Sequence, residues 1–116
     1  MIPEENGVQI YTSENTSENI IFGGVVKDSG KLQREMERRG WTEDEIKDLV
    51  DNPYTTREST VKANGDSATV YYNEDGSYVV VDDITHEVIQ VSGDRDNPSL
   101  WQPDNTIVDP YTPWSN

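Results

Sequence analysis

One stretch, Lys31 to Pro53 (KLQREMERRGWTEDEIKDLVDNP), limits what this chain can fold into more than any other, because it spells out most of two helices and the break between them. Ser29 is placed to cap a first helix over Gly30 to Arg39. Leu32 and Met36, four residues apart, form its apolar stripe. Lys27, Lys31, Arg34 and Arg38, spaced by four, three and four, form a basic stripe on another side of the same cylinder. Gly40 stands where a left-handed residue ends a helix, with Trp41 next to pack back on the last turn. Thr42 to Glu45 is then a capping box, T-x-x-E, opening a second helix. Ile46, Leu49 and Val50 give that helix its core face, three acids load its positive end, and Asn52-Pro53 stops it.

Beyond residue 66 the period changes from helical to two. Ser67–Tyr72, Ser77–Asp83 and Glu87–Ser92 alternate in strand fashion around turns at Asn73–Gly76 and Ile84–His86, which predicts a three-stranded antiparallel meander. Residues 54–66, rich in Thr and Ser, read as a mobile loop or an irregular strand closing on Asn64-Gly65. Residues 1–26 read as an acidic linker or loosely docked extension, with a short strand bent at Gly23-Gly24 within Asn19–Val26. Asn15 heads a nominal glycosylation sequon. Residues 27–116 form the domain proper, its last stretch running extended over the surface and fixed by Trp101, Tyr111 and Trp114. The expected class is α+β, two helices packed on a small antiparallel sheet.

Composition removes several chemistries. There is no cysteine and one histidine, His86, so disulfides, thiolate zinc sites and thiol nucleophiles are excluded, as is an imidazole metal site within one chain. No calcium-loop motif occurs, and no cofactor is expected. No apolar run is long enough to span a membrane, and the N-terminus has neither the basic start nor the apolar run of a signal peptide. The net charge of −14 opposes binding to phosphate, yet its distribution is uneven. Eight of the nine bases fall within residues 27–62.

The segment GWTEDEIKDLVDNP, followed by SATVYYNEDGSYVVVDDITHEVIQVS and then by DNPSLW, resembles the ribonuclease domain of colicin type E-five and the related C-terminal toxin domains of contact-dependent inhibition and other polymorphic toxins. The likeness covers about Lys31 to Trp101, with four segments in the same order. It implies a barnase, EndoU, colicin and RelE type of α+β fold, metal-independent cleavage of tRNA in the anticodon loop, delivery as cargo of a larger secreted or surface effector into a target cell's cytoplasm, and a cognate immunity protein. Position by position it implies catalytic roles for Lys31 and for Arg39 in E-R-R-G-W. A third basic residue falls on Arg57 or, as second choice, Lys62. The nucleotide-lining positions fall on Val91 and Trp101. Gly93 departs from the pattern as an insertion.

Metal-free RNA cleavage needs a charge clamp on the phosphorane and groups that take and give a proton. Arginine's planar fork suits the clamp, which points to Arg39, and a lysine among other cations can move protons, which points to Lys31. Arg34 and Arg38 read as a solvated face, with Lys31 and Glu35 able to pair at i, i+4. Tyr71 and Tyr72 point to opposite faces of one strand, so one belongs to the core, and Tyr72 is the candidate for RNA. Trp41 reads as core, His86 as an exposed turn residue where the colicin has glycine, and Asp82 and Asp83 as turn-shaping acids. The competing class is a catalytically weakened acidic relative that binds a basic protein or mimics nucleic acid.

Overall fold

The computed structural model describes residues 15–93, 97 and 105–114. Two helices, α1 (Ser29–Arg39) and α2 (Glu43–Asp51), precede four strands, β1 (Thr55–Thr60), β2 (Ser67–Tyr72), β3 (Tyr78–Asp82) and β4 (Val88–Val91). The strands form one antiparallel sheet in chain order. This is the expected α+β class, with one strand more than the meander predicted.

The helix punctuation acts largely as the sequence indicates. Thr42 and Glu45 make both bonds of the capping box, and Gly40 closes α1 at φ 80°. The cap at the start of α1 is Asp28 rather than Ser29. Its carboxylate accepts from the Lys31 N–H at 3.1 Å, and a charged acceptor suits the positive end of a helix better than a hydroxyl.

Alternation along the strands divides the core into two layers. Tyr71, Val79, Val81, Val88 and Val91 face the helices and meet Leu32, Met36, Trp41, Ile46, Leu49 and Val50. Ala68, Val70, Tyr72, Tyr78 and Val80 face the other way and are joined by Val61 and Ile107. The tail therefore does more than run over the surface: Ile107 is buried, and the Val108 N–H bonds the Glu58 carbonyl on the outer edge of β1. The Trp114 ring lies where a Cβ on Gly76 would collide with it, and Gly76 takes φ 92° in the β2–β3 turn.

Residues 19–26 do not form the expected strand. They make one parallel bridge, Ile21 with Glu87, and the chain then turns at Gly23 with φ 108°. Ile20 is nonetheless part of the core. Asn15 is buried, its amide donating to Tyr71 Oη and Asp83 Oδ1 at 3.1 Å each, so the acceptor side chain of its sequon is engaged inside the fold. His86, at φ 65°, sits in the turn with Nδ1 2.6 Å from Asn15 Oδ1, and that left-handed backbone explains why glycine suits the position. Asp82 shapes the same turn by accepting from the Ile84 and Thr85 amides.

The role expected for Tyr72 meets a side chain with no exposed surface. Its ring is enclosed by Tyr78 and Tyr111 at 5.4 Å each. Burial pushes its phenol up to about 12. The Tyr111 backbone lies close enough to lower that value somewhat, but among the described residues no hydrogen bond of ordinary geometry satisfies the oxygen. Tyr72→Phe is therefore expected to leave stability unchanged within ~0.5 kcal/mol or to raise it, measured by urea unfolding at neutral pH. A loss above ~1.5 kcal/mol would show that the hydroxyl is well bonded. The folded pKa lies above the ordinary 10.0, so the stability this group contributes is complete below pH 10 and fades as pH rises towards 12. Tyr72→Phe should flatten that alkaline decline.

Candidate active site

The site begins with the stripe of α1 that carries Glu35 and Arg39, one turn apart. Glu35 is a buried acid. Its Oε1 accepts from Lys27 Nζ at 2.8 Å and lies 3.6 Å from Arg39 Nη1. Arg39 also donates from Nη1 to the Val91 carbonyl at 3.0 Å, which ties the end of α1 to the end of β4. Trp41 secures the same corner by donating from Nε1 to the Ser92 carbonyl at 3.1 Å, so it belongs to the core as expected.

Lys27 lies just before the helix and needs its own support. Glu87, buried at the start of β4, supplies it: Oε1 accepts the Val26 N–H at 2.9 Å and the Lys27 N–H at 3.4 Å. Gly24 lets the loop approach this carboxylate, since a Cβ there would stand 2.8 Å from Glu87 Cδ.

These contacts build one wall of a cleft of about 330 Å³. Val26, Val61, Val80 and Ile89 supply its apolar lining, and Ser59, Thr60, Gln90 and Thr106 add polar groups. Ser59 and Thr106 are joined through their hydroxyls at 3.1 Å. Lys62, just past β1, also lines it. Among the described residues, three cations, Lys27, Arg39 and Lys62, thus share the cleft with one carboxylate, Glu35, in a chain whose net charge is −14. Their positions come from the loop before α1, the end of α1 and the end of β1. An apolar cavity with converging cations in a low-dielectric wall is a site for an anion.

The predicted site residues are only partly brought together. Arg39 and Lys62 line the cleft, whereas Lys31 is exposed on α1, one turn before Glu35 on the same helical stripe, and is not among the lining residues. Glu35 pairs with Lys27 and Arg39 in place of Lys31. Arg57 stands one pleat from Ser59 on the cleft side of the sheet, but three of its five N–H groups are committed. Nε donates to the Asp109 carbonyl at 2.7 Å, and Nη1 to Thr55 Oγ1 and the Thr56 carbonyl. Its observed work is to hold the tail. Val91 is fully buried and acts on the site through its carbonyl. Trp101 lies outside the described residues. Lys27 and Glu35 are the cleft residues that sequence reasoning missed as a pair: eight positions apart, with one outside the helix, they leave no local signal. Among the described residues no group of three His, Cys, Asp or Glu stands close enough to hold a metal.

The molecule is a small α+β domain with a cationic cleft on the face of its sheet that the helices leave open, lined from β1, β3 and β4. Residues 28–106 match the profile of the colicin E5 ribonuclease domain, and the chain belongs to that family. It is 36% identical over 115 aligned residues to a protein named tRNA nuclease CdiA from Burkholderia pseudomallei, covering 91% of this chain and 9% of that protein. It is 41% identical over 87 residues to Colicin-E5 of Escherichia coli, covering 66% of this chain and 47% of that protein. The chain thus spans less than half the length of either relative.

Glu35→Gln keeps the shape but removes the charge that two partly buried cations share. We expect a loss of about 1–3 kcal/mol in urea unfolding. An unchanged midpoint would show that solvent already screens both pairs.

Proposed function

We propose that this domain is the ribonuclease part of a bacterial toxin and cuts tRNA, by attack of a ribose 2′-hydroxyl on its own 3′ phosphate. In that reaction a bond forms between O2′ and phosphorus and the bond from phosphorus to O5′ breaks. One proton leaves O2′, another arrives at O5′, and the products are a 2′,3′-cyclic phosphate and a 5′-hydroxyl. The observation that carries the reading is the convergence of Arg39, Lys62 and Lys27 on one cleft in a chain belonging to a ribonuclease family. The name of one relative, tRNA nuclease CdiA, adds tRNA as the substrate class.

Each cleft residue has a task suited to its chemistry. Arg39, held on the Val91 carbonyl, pairs with the equatorial oxygens of the phosphorane, where charge builds up. Lys62 enters from the β1 side and supplies a second positive charge and a proton for O5′. Glu35 is a positioning residue that keeps Lys27 and Arg39 in place. Lys31 is assigned proton transfer by the resemblance, and from its exposed place on α1 it reaches the phosphate only by extending its stem along the Glu35 stripe. The proposal includes cleavage within the anticodon loop without a metal, carriage by a larger effector into the target cell's cytoplasm, and neutralisation by an immunity protein. Among the described residues no helix is long and apolar enough to cross a membrane.

The alternative, an acidic binding module without activity, draws on the same numbers: Glu35 offsets part of the cleft charge, and Asp109 lies 3.9 Å from Arg57. Digestion of total tRNA at low salt, in EDTA and without inhibitor, separates the two. Wild type is expected to release fragments ending in a cyclic phosphate. Arg39→Ala and Lys62→Ala should each lower the rate ~10²–10³-fold. Arg57→Ala should lower it by less than ~10-fold, because its donors serve the tail. Intact tRNA with wild type, or full activity in both cleft variants, overturns the proposal.

A further inference from the structure

We propose that Tyr54, braced by Tyr111, is a stacking platform for an unpaired nucleobase of a single-stranded nucleic acid whose backbone enters the cationic cleft. For its ligand class this rests on the ribonuclease reading. The starting observation is an aromatic column that runs from core to surface. Tyr78 packs on Tyr72 with centroids 5.4 Å apart, and Tyr72 meets Tyr111 edge-on at 5.4 Å. Tyr111 lies 5.6 Å from Tyr54 with their planes only 32° apart. Tyr54, the outermost ring, is 59% exposed.

The column is fixed at several points. The Tyr111 hydroxyl donates to the Glu74 carbonyl at 2.8 Å, and the Arg57 guanidinium stands 5.9 Å from the Tyr111 centroid. The Tyr54 N–H donates to the Tyr72 carbonyl, which continues the sheet ladder one residue beyond β1. A large exposed ring costs an exposed apolar surface, whereas Tyr72 and Tyr78 are buried and Tyr111 is half-buried. Held in place, such a ring loses little freedom when a flat ligand lands on it.

Its position suits a nucleic-acid strand. Tyr72 belongs to the same apolar layer as Val61 and Val80, which line the cleft, so column and cleft lie on one side of the sheet. Tyr54 and the cleft residue Ser59 are five positions apart on the β1 line, about 17 Å at strand rise. A base stacked on Tyr54 is thus a few nucleotides from a phosphate held by Arg39 and Lys62. Glu74 and Asp75 act on Tyr111 electrostatically, and the nearby Arg57 is engaged with the Asp109 carbonyl, so this end of the path offers the face of a ring to a base rather than a cation to its phosphate. Stacking tolerates any base, because every base has a π-face. Tyr111 lies beyond residue 106, where the match to the family ends, so the brace is a feature of this chain outside the matched segment.

The test measures binding apart from cleavage. A short, mixed-sequence, all-deoxy oligonucleotide, which lacks the attacking hydroxyl, is titrated at low salt into wild type, Tyr54→Ala and Tyr54→Phe, with thermal unfolding to verify the fold. Tyr54→Ala is expected to raise Kd about tenfold, and Tyr54→Phe to bind as wild type. Equal affinity for all three, or equal loss in the Ala and Phe variants, overturns the platform. If wild type binds through Tyr54 yet leaves tRNA intact, the platform stands and the nuclease reading falls. If wild type cuts tRNA while Tyr54→Ala binds unchanged, the reverse holds.

Discussion

The contact on which the cleft depends is the Glu35 carboxylate, placed between Lys27 and Arg39. It joins a loop, a helix and, through Arg39, the carbonyl at the end of β4. Two like charges brought to one wall would repel, and a half-buried cation without a partner is costly. A single shared acid offsets both effects, and among the described residues three cations still line the cleft against that one carboxylate. Glu87 makes the arrangement rigid one layer further out, since its buried carboxylate fixes the backbone from which Lys27 projects.

The sheet then decides what the cleft can contact. One face is sealed by the two helices, while among the described residues the other is covered by Val26, Ile107 and Tyr111, short of the cleft. The opening lies where that second cover stops, between the ends of β1 and β4 and the loop before α1. Charge and topology therefore agree on one place: among the described residues, the cations lining the cleft all come from the bases that the sequence concentrates in residues 27–62.

Much of the fold could be read from the residues, because its signals are local. Leu32 with Met36, the Thr42–Glu45 box, Gly40 and the alternation through Val79–Val81 each specify structure within a few positions. β1 was harder to read, since TTREST has no large apolar residue and gains its burial from Ile107 across the chain. Residues 19–26 misled in the opposite sense: their apolar run suggests a strand, but Ile20 is buried by tertiary packing while Gly23 turns the chain. At the cleft, the motif already singles out Arg39, whereas the places of Lys62, in the lining, and Arg57, bound to the tail, show only in three dimensions. Arg57 precedes Ser59 on the correct face, yet Asp109 and Thr55 absorb its donors. Tyr72 shows the limit of face arguments: it points to the cleft side, and the tail covers it.

The most direct test of the central claim, that RNA phosphate is held by the cleft rather than by the outer basic face of α1, is side-chain NMR of arginine and lysine during titration with a non-cleavable RNA. The account predicts that the Arg39 guanidinium and the Lys62 and Lys27 ammonium groups shift first and saturate together, with Arg34 and Arg38 changing little. Shifts concentrated on Arg34 and Arg38, with Arg39 and Lys62 unmoved, would contradict it.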